Sequence, residues 1–144
     1  MRIIVRGHSM EPLLKNGDIV YSVKSDEYVL GDILIFKKDS NVIIHRFINV
    51  ENGNNCIVCK GDNSFEIEEI NLSDVIGKAV LFEHKGIKRR ILKPSNYFIK
   101  IDIMVNKIYK HFNNSISYTI KSDVYHEYLK ERNILWKNHI SSLD

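Results

Sequence analysis

Along the first ninety residues the apolar positions alternate in short runs broken by turn residues. "RIIV" opens the chain. "GDIVYSVKS" starts on a Gly17-Asp18 turn and alternates through Ile19, Tyr21 and Val23. "GDILIF" repeats the device at Gly31-Asp32, and "NVIIHRFINV" is long and β-branched. Asn52-Gly53 is the signature of a tight hairpin, with "CIVCKGD" as the returning strand. "DVIGKAVLFEHKGIKRRIL" continues in strands, turning at Lys85-Gly86. Strands this short and evenly spaced predict a compact β-rich domain, not a parallel α/β sheet.

From Pro94 the period changes. Tyr97, Phe98, Ile101, Met104, Val105, Ile108, Tyr109 and Phe112 fall three and four apart, which is one stripe of a helix. "NNS" at 113–115 ends it. A second helix is expected from Ser122-Asp123, presenting Tyr125, Tyr128, Leu129, Trp136 and Ile140. The pattern therefore predicts an α+β chain: a β-rich domain over 1–92 and a helical extension over 93–144.

Composition leaves this picture intact. The 144 residues are 44% hydrophobic and 27% charged, so one domain with a real core is expected rather than disorder. No apolar run approaches the roughly 20 residues of a membrane-spanning helix, and the start lacks a secretory signal, so the cytoplasm is the expected compartment. Charge is unevenly spread. Residues 1–83 carry 9 Lys+Arg and 13 Asp+Glu, whereas 84–144 carry 12 and 5. The basic half suggests a separate contact: lysines beside aromatics over 97–140 suit a peripheral membrane contact or the capture of an acidic peptide, although packing of the stripe on the β domain or on the second helix explains it at least as well. Cys56 and Cys59 form a single C-x-x-C pair. Without a second pair it reads as one buried and one partly exposed thiol in a strand, not as a zinc site.

The chemistry gathers around "GHSMEP". A serine hydroxyl is a poor nucleophile and needs a base within hydrogen-bond reach and donors for the oxyanion. Gly7 and Pro12 bracket Ser9 on what reads as a projecting turn. His8 is adjacent, but neighbouring side chains usually point apart. His45 lies on a strand, sharing a face with Ile43 and Phe47; strand packing would fix it in place, although a lone histidine there is more often structural.

Four ordered blocks tip that balance: "GHSMEPLLKNGDIV", "LGDILIF", "IIHRFINV" and "KGDNS". Together they resemble the signal peptidase I family, in particular its Ser-His branch. The resemblance runs from Gly7 to Asn63 and covers about the first 80 residues. It implies a β-rich fold shared with the self-cleaving SOS repressors, Ser9 as nucleophile, His45 as base, and no cofactor or metal. Met10 and Pro12 match the residues that shape the turn, and Gly61-Asp62 match the last Gly-Asp. The family's orienting acid follows that Gly-Asp; Glu68 falls on its position, Glu66 is possible and Asp62 is a contender. Gly7 stands where many members have a serine that assists the oxyanion hole, which implies a hole of backbone N–H groups, including that of Ser9. Only eight residues precede Ser9, so a member without the family's membrane anchor is expected.

The leading expectation is therefore a serine endopeptidase acting on a peptide or protein substrate such as a leader peptide. A peptidase-like module that only binds peptides comes second, since nucleophile and base are both present. A regulator linked to nucleic acid comes last: the chain has no reader motif, and the SOS repressors use lysine where His45 stands.

Overall fold

Ile33, Leu34, Ile35 and Phe36 are apolar at four successive positions. A strand tolerates this only when both its faces are covered. In the computed structural model, which describes residues 1–51, 55–64 and 66–91, all four are at most 1% exposed. They lie in β3 (Ile33–Lys38) of an antiparallel sheet. The other strands are β1 (Arg2–Ile4), β2 (Ile19–Val23), β4 (Asn41–Glu51), β5 (Cys56–Lys60), β6 (Ile67–Asn71), β7 (Val75–His84) and β8 (Ile87–Arg90). A 3₁₀ turn at Leu72–Asp74 joins β6 to β7.

The sheet runs β1-β2-β7-β3-β4-β5-β6, with β8 on β7. Alternation along β3 separates two cores. Ile33 and Ile35 join Val5, Met10, Leu13, Leu14, Val20, Ala79 and Phe82. Leu34 and Phe36 join Phe47, Ile57, Cys59 and Ile70. Among the described residues β7 alone pairs with both β2 and β3. It thereby joins the β1–β2 portion of the sheet to the β3–β6 portion.

The β-rich fold expected from the sequence is the fold observed, and the Lys85-Gly86 turn carries positive φ at both residues (49° and 80°). The strand β6 was not expected. Its segment "IEEIN" buries only Ile70, because it pairs with β5 alone at the end of the sheet. The Asn52-Gly53 turn and the helical extension over 93–144 lie outside the described residues, so the 92/93 boundary has no structural counterpart here.

Gly77 sits where β7 passes between its two neighbours. A Cβ built there would stand 2.7 Å from the Val23 carbonyl oxygen, a backbone atom that cannot step aside cheaply. Gly77→Ala should therefore destabilise the fold by about 1–3 kcal/mol, measured by urea unfolding; unchanged stability would contradict this packing.

Candidate active site

The segment between β1 and β2 closes on itself. Val5 N–H donates to the Asp18 carbonyl and Gly17 N–H to the Val5 carbonyl. Gly7 N–H donates to Asn16 Oδ1, and Lys15 N–H to Asp18 Oδ2. Asp18, 3% exposed, also pairs with His84 of β7. Met10, Leu13 and Leu14 plug the loop into the first core. Gly7 and Gly17 hold φ of 84° and 92°, a region that favours glycine. Anchored in this way, the loop presents Ser9, half-buried, at its tip.

His45 approaches from β4. Its cross-strand partner is Leu34, and its ring meets Phe36 edge-on at 6.3 Å between centroids. His45 Nε2 lies 3.1 Å from Ser9 Oγ, and His45 Nδ1 lies 2.6 Å from Glu68 Oε2. An ionised carboxylate only accepts, so Nδ1 donates to Glu68 and Nε2 is left to accept the serine proton. The side chains of His45 and Glu68 are 12% and 14% exposed. In so dry a setting a charge-assisted bond holds its geometry firmly.

The turn at 60–63 binds these parts together. A Cβ on Gly61 would stand 2.9 Å from Ser9 Cβ and 3.0 Å from His45 Nε2, so any larger residue would push Ser9 and His45 apart. Both oxygens of Asp62 accept from Arg46, through Nε and Nη2 at 2.7 Å each. Arg46 also donates to the Gly31 carbonyl at 2.8 Å. Asn63 N–H donates to the Ser9 carbonyl at 2.7 Å.

The structure thus brings three of the sequence candidates, Ser9, His45 and Glu68, into one hydrogen-bonded line. Asp62 instead pairs with Arg46, and Glu66 is exposed. The exposed His8 ring is bonded to Glu11, not turned to Ser9. Cys56 and Cys59 are free thiols, the first half-buried and the second buried. Burial, with Glu68 adding to it, pushes the Cys59 thiol far above its ordinary range, so it stays protonated and inert. Sequence reasoning did not find the Arg46–Asp62 pair or the hold of Asn63 on Ser9. A signal was present: β4 and β5 pair with Arg46 opposite Lys60, which brings "HR" beside "KGDN".

A cleft of about 530 Å³ ends at Ser9 and His45 and is walled by β1 residues Ile3 and Ile4 and β4 residues Val42, Ile43 and Ile44. β4 pairs with β3 over Asn41–Arg46 but with β5 only from Arg46 onward, and β1 pairs with β2 alone. Two strand edges thus line the cleft without a partner strand among the described residues. Those residues include no His, Cys, Asp and Glu cluster suited to a metal ion and no helix long and apolar enough to cross a membrane.

Residues 2–80 match the family described as Peptidase S24-like, which lies in the superfamily that takes in the SOS-repressor proteases and the signal peptidases. No curated protein matches the chain.

Replacing the Asp62 carboxylate by an amide removes the charge that Arg46 meets at 2.7 Å inside the protein. Asp62→Asn should cost about 3–5 kcal/mol of stability, read by denaturant unfolding. A protein that kept its full stability but lost all hydrolysis would show that the Asp62 carboxylate acts on His45 rather than on Arg46.

Proposed function

The chain belongs to the Peptidase S24-like family, and from that footing we propose that it is a serine endopeptidase of the Ser-His signal peptidase kind, with Ser9 as nucleophile, His45 as general base and Glu68 as the group that orients the base. The observation that carries this reading is the unbroken line Glu68–His45–Ser9 at the end of a cleft.

In the first half-reaction Ser9 Oγ bonds to the carbonyl carbon of the scissile peptide while its proton passes to His45 Nε2. The imidazolium so formed keeps its Nδ1–H on Glu68, which stabilises the positive charge without taking the proton. The tetrahedral intermediate collapses, the C–N bond breaks, and the leaving amine takes the proton from His45. Water then attacks the acyl-enzyme by the same route. Its proton goes to His45 and returns to Ser9 Oγ as the new carboxylic acid leaves.

The cleft supports an extended peptide as substrate. Two strand edges that have no partner strand among the described residues, one on each wall, can add a passing chain as a further strand, and the aliphatic side chains of Ile3, Ile4, Val42, Ile43 and Ile44 give such a chain apolar surface to lie on. A leader or signal-like segment of a precursor peptide has this character.

Ser9→Ala and His45→Ala should each abolish cleavage of a precursor peptide, with the double variant scarcely worse, because either loss leaves no activated nucleophile. Glu68→Gln should lower kcat far more than it raises KM. Labelling of Ser9 by a fluorophosphonate probe checks the nucleophile without knowledge of the substrate. A wild-type protein that is neither labelled at Ser9 nor active on any peptide, or a His45→Ala variant with normal activity, would sink the assignment.

A further inference from the structure

An oxyanion hole needs N–H groups that already point at the place where negative charge will develop. One turn at Ser9 offers two N–H groups for this task. His8 to Glu11 form a β-turn, closed by the Glu11 N–H donating to the His8 carbonyl at 3.2 Å, with Ser9 and Met10 as its central residues. Among the described residues the N–H groups of Ser9 and Met10 have no acceptor. Successive N–H groups in such a turn form a concavity for an anion.

What aims them is visible on the other side of the turn. The peptide unit is planar and trans, so a carbonyl fixed in one direction fixes the next N–H in the opposite one. The His8 carbonyl governs the Ser9 N–H, and the Ser9 carbonyl governs the Met10 N–H. Asn63 takes both carbonyls. Its backbone N–H donates to the Ser9 carbonyl at 2.7 Å, and its side-chain Nδ2 donates to the His8 carbonyl at 3.2 Å. Gly61 lets the turn approach this closely, since a Cβ there would stand 2.7 Å from the Ser9 carbonyl oxygen. Asp62 N–H meets Met10 Sδ at 3.5 Å, fixing the turn to the loop from a third point.

We propose that Asn63 is the positioning residue of the oxyanion hole: it draws the His8 and Ser9 carbonyls to one side so that the Ser9 and Met10 N–H groups face the substrate carbonyl oxygen on the other. The proposal rests on the serine-peptidase reading. It assigns Asn63 no contact with substrate; the residue acts through the two peptide planes that flank the nucleophile.

The test compares full-length wild type, Asn63→Ala and Asn63→Asp by the rate at which a fluorophosphonate probe labels Ser9, whose phosphoryl oxygen needs the same hole. Melting temperature and the pH midpoint of labelling are recorded alongside. Asn63→Ala, which keeps the backbone bond and loses the side-chain one, should slow labelling about tenfold, since a small misplacement near the reacting atoms can cost up to roughly a hundredfold. Its pH midpoint should not move, because His45 is untouched. Asn63→Asp fills the same space but turns a carboxylate towards the His8 carbonyl, so it should be slower still. The order Asn, Ala, Asp marks an orienting role, and the conservative shape does not rescue it. The order Asn, Asp, Ala would mark space-filling alone and overturn the proposal, as would undiminished labelling in both variants. A wild type that the probe does not label overturns the peptidase reading itself, and this inference with it.

Discussion

Arg46 and Asp62 meet inside the protein through two parallel N–H···O bonds, and each stands beside something the site requires. Arg46 follows His45 on β4. Asp62 lies between Gly61, which packs against Ser9 and His45, and Asn63, which holds the Ser9 carbonyl. Strand geometry sends His45 and Arg46 to opposite faces, so one residue can serve the chemistry while its neighbour bolts the strand to the turn. A buried ion pair is weak evidence for stability, since apolar residues of the same volume often do as well. Its value here is geometric. Two bonds from a planar guanidinium set distance and angle together, and the separation of Ser9 and His45 inherits that definition.

The loop that carries Ser9 is held by different means. Three apolar side chains sink it into the first core, and backbone bonds at Val5, Gly17 and Asp18 close its neck. His45 rests on the second core through Phe36. Ser9 and His45 are thus supported by separate cores, on either side of β3, and the turn at 60–63 spans them. Rigid support of this kind suits a reaction in which little has to move when charge appears.

Much of this could be read in the sequence. The alternation of "NVIIHRFINV" put His45 on the face of Ile43 and Phe47, and the turn residues around Ser9 marked a projecting loop. The identity of the third residue could not be read. Asp62, Glu66 and Glu68 lie within one short stretch, and the choice among them depends on β6, a strand whose two central glutamates and single buried isoleucine mask any periodicity. Only the register of β6 against β5, with Glu68 opposite Cys59, turns Glu68 towards His45. Asn63 was equally hidden. Its block "KGDNS" was legible but its bonds were not: the backbone N–H that meets the Ser9 carbonyl is one every residue type carries, and the Nδ2 bond to the His8 carbonyl needs a close approach of two turns that no spacing records.

The strand β7 has a consequence for the order of events at the ribosome. Ser9 emerges first, with β1 and β2. His45 and Glu68 follow with β4 and β6. The hydrogen-bonded link between those two portions of the sheet is made only when Val75–His84 has been synthesised and laid between β2 and β3. A nascent chain that has exposed Ser9 therefore lacks the strand that joins the two portions of the sheet. The sheet that carries Ser9, His45 and Glu68 is therefore completed late in translation, by a strand that contributes none of the three.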